Sequence, residues 1–264
     1  MRIVVCMKQV PWTTNVKTDP KTGTLIRSGI ASVINPFDLY AIEEALRIKE
    51  EKDAQITVLS MGPPQAQYAL KTALAMGCDE AILLSDRAFA GADTLATSYT
   101  LAQGLKKIGD FDLIICGVKT VDGDTAQVGP GIAEVLDIPH VCYVRRIRTI
   151  SRSNIIVQQE MDDGYRILEV AIPCLLTVVK EINVPRMPTL KGKLEAIKKP
   201  VNIYTKNDLN GEDSRFGLDG SPTQVKRIFE PTHKNSGIMI SGTPQQIAET
   251  LYKELVRLKL WSKE

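Results

Sequence analysis

The 264-residue chain is poor in the residues that usually announce an active site. It has only two histidines, His140 and His233, far apart, and five cysteines, Cys6, Cys78, Cys116, Cys142 and Cys174, scattered singly. No CxxC pair or Cys/His cluster is present to hold a metal, and neither histidine belongs to a local triad motif. The cysteines read mostly as buried thiols. His140, between Pro139 and a strand, reads as an ordinary structural histidine. An excess of one charge is also missing: 33 basic residues oppose 31 acidic ones, for a net charge of +2. Those charges are dispersed, so no nucleic-acid surface is indicated. No apolar run approaches membrane-spanning length, and the start reads as a strand, not as a signal peptide. The expected location is the cytoplasm, without membrane insertion. A Walker GxxxxGK[ST] loop and a serine- and glycine-rich pyrophosphatase loop are both absent. No catalytic or metal-ligating residue is assigned.

What is present is a nucleotide-type loop. The apolar run 111–116 has the character of a strand buried on both faces. It leads into Gly117, then Asp122, Gly123, Asp124, Thr125, Ala126, Gln127, Val128, Gly129 and Pro130, with a helix expected from about Gln127. Small residues let the backbone approach a ligand closely, and unpaired N–H groups at the helix start attract a phosphate without a lysine. By itself Asp122-Gly123-Asp124 reads more readily as a solvated turn, and it is the flanking strand, small residues and helix start that reverse this.

Strand signals near 3–7, 56–61, 81–84 and 113–116 alternate with amphipathic helices, which implies βαβ crossovers. The expected fold is therefore α/β, a mainly parallel sheet with helices on both faces. Asn35 and Pro36 are placed as N-cap and N1 of the first helix, with Leu39, Ile42 and Leu46 inward and Glu43, Glu44, Arg47 and Glu50 outward. A second helix follows Gly62-Pro63-Pro64 and stops at Gly77, and a third begins at Asp93-Thr94. Ligands of such sheets lie beyond the carboxyl ends of the strands, where the loops after Met7, Met61, Ala88 and Cys116 converge.

From 143 to 179 the pattern turns β-rich, with a hairpin at Asp162-Asp163-Gly164 read as a sheet extension. After Pro185 more than fifty residues show little periodicity. The chain then ends in an amphipathic helix capped by Thr243, Pro244 and Gln246. Its stripe of Ile247, Leu251, Leu255 and Leu258 suits either a partner or its own domain. Two regions follow: an α/β nucleotide-binding domain over 1–184 and an extended arm over 185–264.

Across nearly its whole length the sequence resembles the β subunit of electron-transferring flavoproteins. The resemblance rests on Val5 through Pro11, Asn35-Pro36-Phe37-Asp38, Met61-Gly62-Pro63-Pro64, Ala73 through Gly77 and Asp122-Gly123-Asp124-Thr125, in the family's order and spacing. It implies an adenine-nucleotide α-hydrolase-like fold and an α-subunit partner holding the electron-transferring FAD. Three motifs, at 90–97, 122–130 and 220–223, resemble the bifurcating branch, whose β subunit holds a second FAD in place of a structural AMP. In that branch NADH donates a hydride, one electron goes to ferredoxin or flavodoxin, and the other goes through the α subunit to a flavoprotein dehydrogenase of the acyl-CoA, enoyl-CoA or lactate type. The absence of an acid/base pair agrees with this, because the flavin carries the chemistry. By the same resemblance Cys6, Asn35, Pro36, Phe37, Asp38, Met61 and the loop 117–130 surround the adenosine and pyrophosphate. Thr125 to Val128 supply backbone N–H groups, while Asp93, Thr94 and Thr97 lie toward the flavin. Leu190 matches a leucine that anchors in the partner dehydrogenase, and a scattered surface leucine is a nearly equal reading of the residue itself. Two departures are Val118-Lys119, where relatives carry a basic residue and glutamine, and Trp12, where they carry a small or acidic residue. The alternatives are an AMP-binding β subunit and a non-redox adenine-nucleotide module.

Overall fold

A computed structural model describes residues 1–11, 32–226 and 237–261; Trp12 and His233 fall outside them. The chain divides into two compact units, Met1–Lys226 and Arg227–Glu264.

In the first unit, β1 (Arg2–Cys6) opens the fold, and a small antiparallel ribbon of β2 (Gln9–Pro11) and β3 (Ser32–Ile34) leads into α1 (Pro36–Lys52). The order then runs β4 (Gln55–Met61), α2 (Gln67–Met76), β5 (Glu80–Leu84), α3 (Thr94–Ile108), β6 (Leu113–Gly117) and α4 (Val128–Leu136). It continues through β7 (His140–Ile150), β8 (Asn154–Met161), β9 (Gly164–Ala171), β10 (Cys174–Val178), α5 (Leu190–Lys198) and β11 (Asn202–Tyr204). Nine of these strands form one sheet in the order β11-β5-β4-β1-β6-β10-β7-β8-β9. Pairing is parallel from β11 to β7 and antiparallel across β7, β8 and β9. The edges are unequal: β11 has three residues and β9 eight.

Period-two alternation in the central strands divides the core between two faces. Ile3, Val5, Ile56, Val58, Leu113 and Ile115 pack against α1 and α2, while Val4, Cys6, Leu59, Ile114 and Cys116 pack against α3 and α4. Most crossover helices end as their sequences dictate: Gly77 receives the end of α2, and Asp93 caps α3 by accepting from the Leu95 and Ala96 N–H groups.

Three features depart from the sequence reading. Glu43 and Glu44 are buried, not outward. The guanidinium of Arg186 lies 2.8 Å from the Glu43 carboxylate, and the Asn183 amide donates to Glu44 at 2.9 Å, so residues far along the chain cover this side of α1. The stretch after Pro185, read as aperiodic, contains helix α5, and β11 pairs with β5 to complete the sheet. Gly192 lets α5 approach α2 closely, since a Cβ there would lie 2.2 Å from the Ala75 carbonyl oxygen. Local pattern could not show these contacts, because each partner is more than 100 residues distant.

In the second unit, α6 (Pro244–Arg257) begins as expected. The Thr243 hydroxyl accepts from the Gln246 N–H, the Gln246 Oε1 accepts from the Thr243 N–H, and Pro244 opens the helix. Ile247, Leu251 and Leu258 are exposed.

Candidate functional site

The chain leaves β1 for β4 and β5 on one side, whereas β6 pairs with β1 on the other. The loops after β1 and β6 therefore diverge from a reversal of strand order, the place where α/β sheets form a ligand crevice. Asp38, in the first turn of α1, ties the two loops together. Its buried carboxylate accepts from the Lys8 N–H at 2.8 Å and the Gly117 N–H at 3.1 Å. Burial pushes its pKa up to about 7, against the lowering effect of those bonds and of the Lys8 charge. Gly117 is required by close approach: a Cβ would stand 2.5 Å from the Asp38 Oδ1 and 2.6 Å from the Phe37 carbonyl carbon.

Asn35 occupies the N-cap position of α1, but its side chain does not cap the helix. It is fully buried, and reaches the β6 loop instead, donating to the Lys119 carbonyl at 2.9 Å and accepting from the Val121 N–H at 3.1 Å. Both ends of a buried amide are thereby satisfied. Pro36 opens α1 beside it, and the Phe37 ring lies 5.8 Å from the Lys119 ammonium.

The acidic residues of the 117–130 loop are matched by lysines, one of them from the loop after β1. Lys8 pairs with Asp122 at 2.7 Å, and Lys119 pairs with Asp124 at 2.7 Å. Burial works to raise the Asp122 pKa, but the Lys8 bond and charge outweigh it and hold the carboxyl below its usual range. Val118 is buried, with its N–H on the Val178 carbonyl. The Val118-Lys119 departure thus places one residue in the core and the other in an internal ion pair.

Beyond Gly123 the backbone enters the left-handed region twice, at Asp124 (φ 53°) and Ala126 (φ 55°). Alanine rarely adopts that conformation, and such strain collects at ligand-binding loops. Among the described residues, the N–H groups of Thr125, Ala126 and Gln127 donate to no protein acceptor. They lie where the nine-residue α4 begins with Val128. Gly129 seats that end on the sheet, since a Cβ would meet the Thr177 methyl at 2.5 Å and the Cys116 sulfur at 3.2 Å. Pro130 follows in the first turn. Unpaired amides, small residues and acids already matched by lysines suit the phosphates of a nucleotide.

A second wall adjoins this one. The Thr94 hydroxyl donates to the Gln127 amide oxygen at 3.0 Å, linking the starts of α3 and α4. The Asp93 carboxylate, besides capping α3, accepts from the Thr223 N–H at 3.1 Å and hydroxyl at 2.8 Å, and the Asp93 N–H donates to Ser221 Oγ at 2.8 Å. Asp93 is therefore engaged by protein donors and holds 221–223 against α3. Thr97 lies in the first turn of α3, where its N–H bonds the Asp93 carbonyl.

Cys6 and Cys116 are register partners on β1 and β6. Burial, assisted by Asp38, pushes the Cys6 thiol up to about 12, and burial raises Cys116 as well. Both stay protonated near neutral pH and are inert as nucleophiles. Met61 closes β4 at the same end of the sheet. Leu190 is apart from this assembly, 75 % exposed at the start of α5. Lys8, which anchors Asp122, escaped the site reading. Its signal was its place directly after β1, inside the motif from Val5 to Pro11.

Residues 22–209 match the model of the electron transfer flavoprotein domain. The chain is 51 % identical over 257 residues to the caffeyl-CoA reductase-Etf complex subunit CarD of Acetobacterium woodii, covering 97 % of this chain and 98 % of that protein. It is 50 % identical over 256 residues to the electron transfer flavoprotein subunit beta of Thermoanaerobacterium thermosaccharolyticum, with the same coverages. The acryloyl-CoA reductase electron transfer subunit gamma of Anaerotignum propionicum is 42 % identical over 264 residues, 97 % of this chain and 98 % of that one.

Proposed function

The chain belongs to the electron transfer flavoprotein β-subunit family, and on that premise we propose that it binds a FAD of its own, accepts electrons from NADH, and divides them between two acceptors. The observation that carries this reading is the bonding of three distant motifs into one wall: 122–130 to α3 through Gln127 and Thr94, and α3 to 221–223 through Asp93. A mononucleotide needs only the loops tied by Asp38 and Asn35, whereas a dinucleotide needs a surface that continues past its pyrophosphate. The second wall supports that longer footprint.

When bound, the flavin supplies the hydride and single-electron chemistry. The protein's part is placement. The amides of Thr125, Ala126 and Gln127 are offered to the pyrophosphate, with Lys8 and Lys119 cancelling the neighbouring carboxylates. Cys6, Pro36, Phe37, Asp38 and Met61 enclose the adenosine side, while Thr94 and Thr97 face the flavin side. The α subunit takes one electron onward to a flavoprotein dehydrogenase, and ferredoxin or flavodoxin takes the other. Two relatives are named for caffeyl-CoA and acryloyl-CoA reductases, which supports an acyl- or enoyl-CoA dehydrogenase as that partner. Leu190 docks on the dehydrogenase and the C-terminal arm on the α subunit, in the cytoplasm; among the described residues no helix is long and apolar enough to cross a membrane.

The test is to co-express the chain with its α subunit, denature the purified heterodimer, and quantify released FAD and AMP. Two FAD per heterodimer and no AMP is the expected result. One FAD with one AMP would sink the reading and leave a structural nucleotide-binding subunit.

A further inference from the structure

Tyr99, Gln103, Lys106 and Lys107 recur at helical spacing along one side of α3, and the chain near 210–215 crosses over them. Between them lies a cleft of about 750 Å³. That volume is within the range of small-ligand sites, roughly 300–1,000 Å³. No residue of 117–130 lines it, so it is distinct from the nucleotide loops.

An uncommitted amide and an excess of cations mark this cleft. Gln103 lines it and is only 6 % exposed, yet among the described residues its side-chain amide has no hydrogen-bond partner. With no protein acceptor among those residues, that amide is free to donate to a group in the cleft. Above it, Lys106, Lys107 and Arg215 have no carboxylate within 4.0 Å among the described residues, although Glu212 shares the cleft. Three cations face one anion, in a protein whose overall charge is nearly balanced.

The cleft is also built to hold its shape. The Tyr99 hydroxyl accepts from the Glu212 N–H at 2.8 Å. The Arg215 guanidinium lies 4.0 Å from the centre of the Tyr99 ring, a stacking that fixes its plane and leaves its N–H edge available. Gly211 brings the covering segment down onto the floor, since a Cβ there would be 2.3 Å from the Phe216 ring and 3.2 Å from Gln103 Cγ.

We propose that this cleft binds a small polyanion bearing phosphate or carboxylate groups, with Lys106, Lys107 and Arg215 as its cationic contacts and the Gln103 amide as the donor on its floor. The assignment does not depend on which nucleotide occupies the loops at the strand ends.

Calorimetric titration of the heterodimer, its own nucleotides bound, with inorganic pyrophosphate and separately with citrate tests this. At least one of the two binds saturably at one site. Tighter pyrophosphate identifies a phosphate ligand, and tighter citrate a carboxylate. The double variant Lys106→Ala/Lys107→Ala, at exposed positions that leave the fold alone, weakens binding about tenfold or more. Gln103→Glu, similar in shape but anionic, weakens it as well, and Glu212→Gln tightens it. The flavin and nucleotide content stays unchanged in the lysine variant. The proposal is overturned if neither anion saturates, if the lysine pair makes no difference, or if Lys8→Ala abolishes the binding instead, which would return it to the nucleotide loops.

Discussion

At Asp38, burial and hydrogen bonding pull in opposite directions. Solvent exclusion disfavours the carboxylate, while two backbone donors from different loops favour it, and burial prevails with a pKa of about 7. The folded-state value lies above the ordinary aspartate value of 3.8. The folded protein therefore holds a proton that the unfolded chain releases, so this contribution to stability is complete at acid pH, below the unfolded pKa, and is lost as pH rises through about 7. Asp38→Asn removes it: the melting temperature of the variant, measured between about pH 4 and 8, falls less steeply with rising pH than that of the parent. Near pH 4 the variant is also less stable by about 1–3 kcal/mol, because one amide oxygen replaces two carboxylate oxygens and leaves a loop N–H unpaired, and this deficit shrinks as pH rises through about 7. An equally steep slope in the variant would show that another group titrates. At this scale the sequence was informative wherever backbone geometry set the residue: Gly117, Gly129 and Pro36 all serve close approaches or starts that their types suggest. The side chain of Asn35 was not legible. Its N-cap position is local information, but the loop it grips lies 84 residues away.

Among the elements, α1 and α5 illustrate how distant partners override a local pattern. The acidic surface of α1 looks solvated until Arg186 brings its guanidinium to Glu43 and also pairs with Glu50. The Arg186 backbone N–H bonds the same Glu43 carboxylate. Arg186→Met keeps the aliphatic stem and strips the charge, leaving Glu43 buried beside Arg47 alone. The expected loss is about 2 kcal/mol, less than for a wholly buried pair because Arg186 is partly exposed. Urea unfolding measures it, and Glu43→Gln/Arg186→Met recovering much of the loss would identify the uncovered charge as the cause. Helix α5 is fixed on the other side by Lys71, whose ammonium meets the carbonyls of Ala196, Ile197 and Lys199 at its C-terminal end. Prolines and lysines disguised this helix as loop in the sequence. By contrast α6 could be placed to the residue, because its cap, proline and reciprocal glutamine lie within four positions.

For the molecule as a whole, the parallel sheet was visible in the alternation of strand and helix signals, whereas the strand order with its reversal and strand β11 were not. The three residues of β11 carry too little pattern to distinguish them from loop. The exposed stripe of α6 gives the assembly prediction. Leu251→Glu puts a charge into that stripe while leaving the capping box intact, so helicity persists but association with the α subunit weakens by about 2 kcal/mol or more, measured by sedimentation. Unaltered assembly would assign the stripe to some other role.

The unequal edges of the sheet carry a further consequence, for handling rather than for electron transfer. Three-residue β11 offers little template to another strand, but eight-residue β9 presents an open ladder, with Tyr165 and Ile167 more than half exposed along it. Long apolar edges nucleate aggregation, and Arg166 and Glu169 are the gatekeepers that interrupt this one. The margin of the sheet is therefore where self-association is expected to start, and material lost there would leave every nucleotide contact intact.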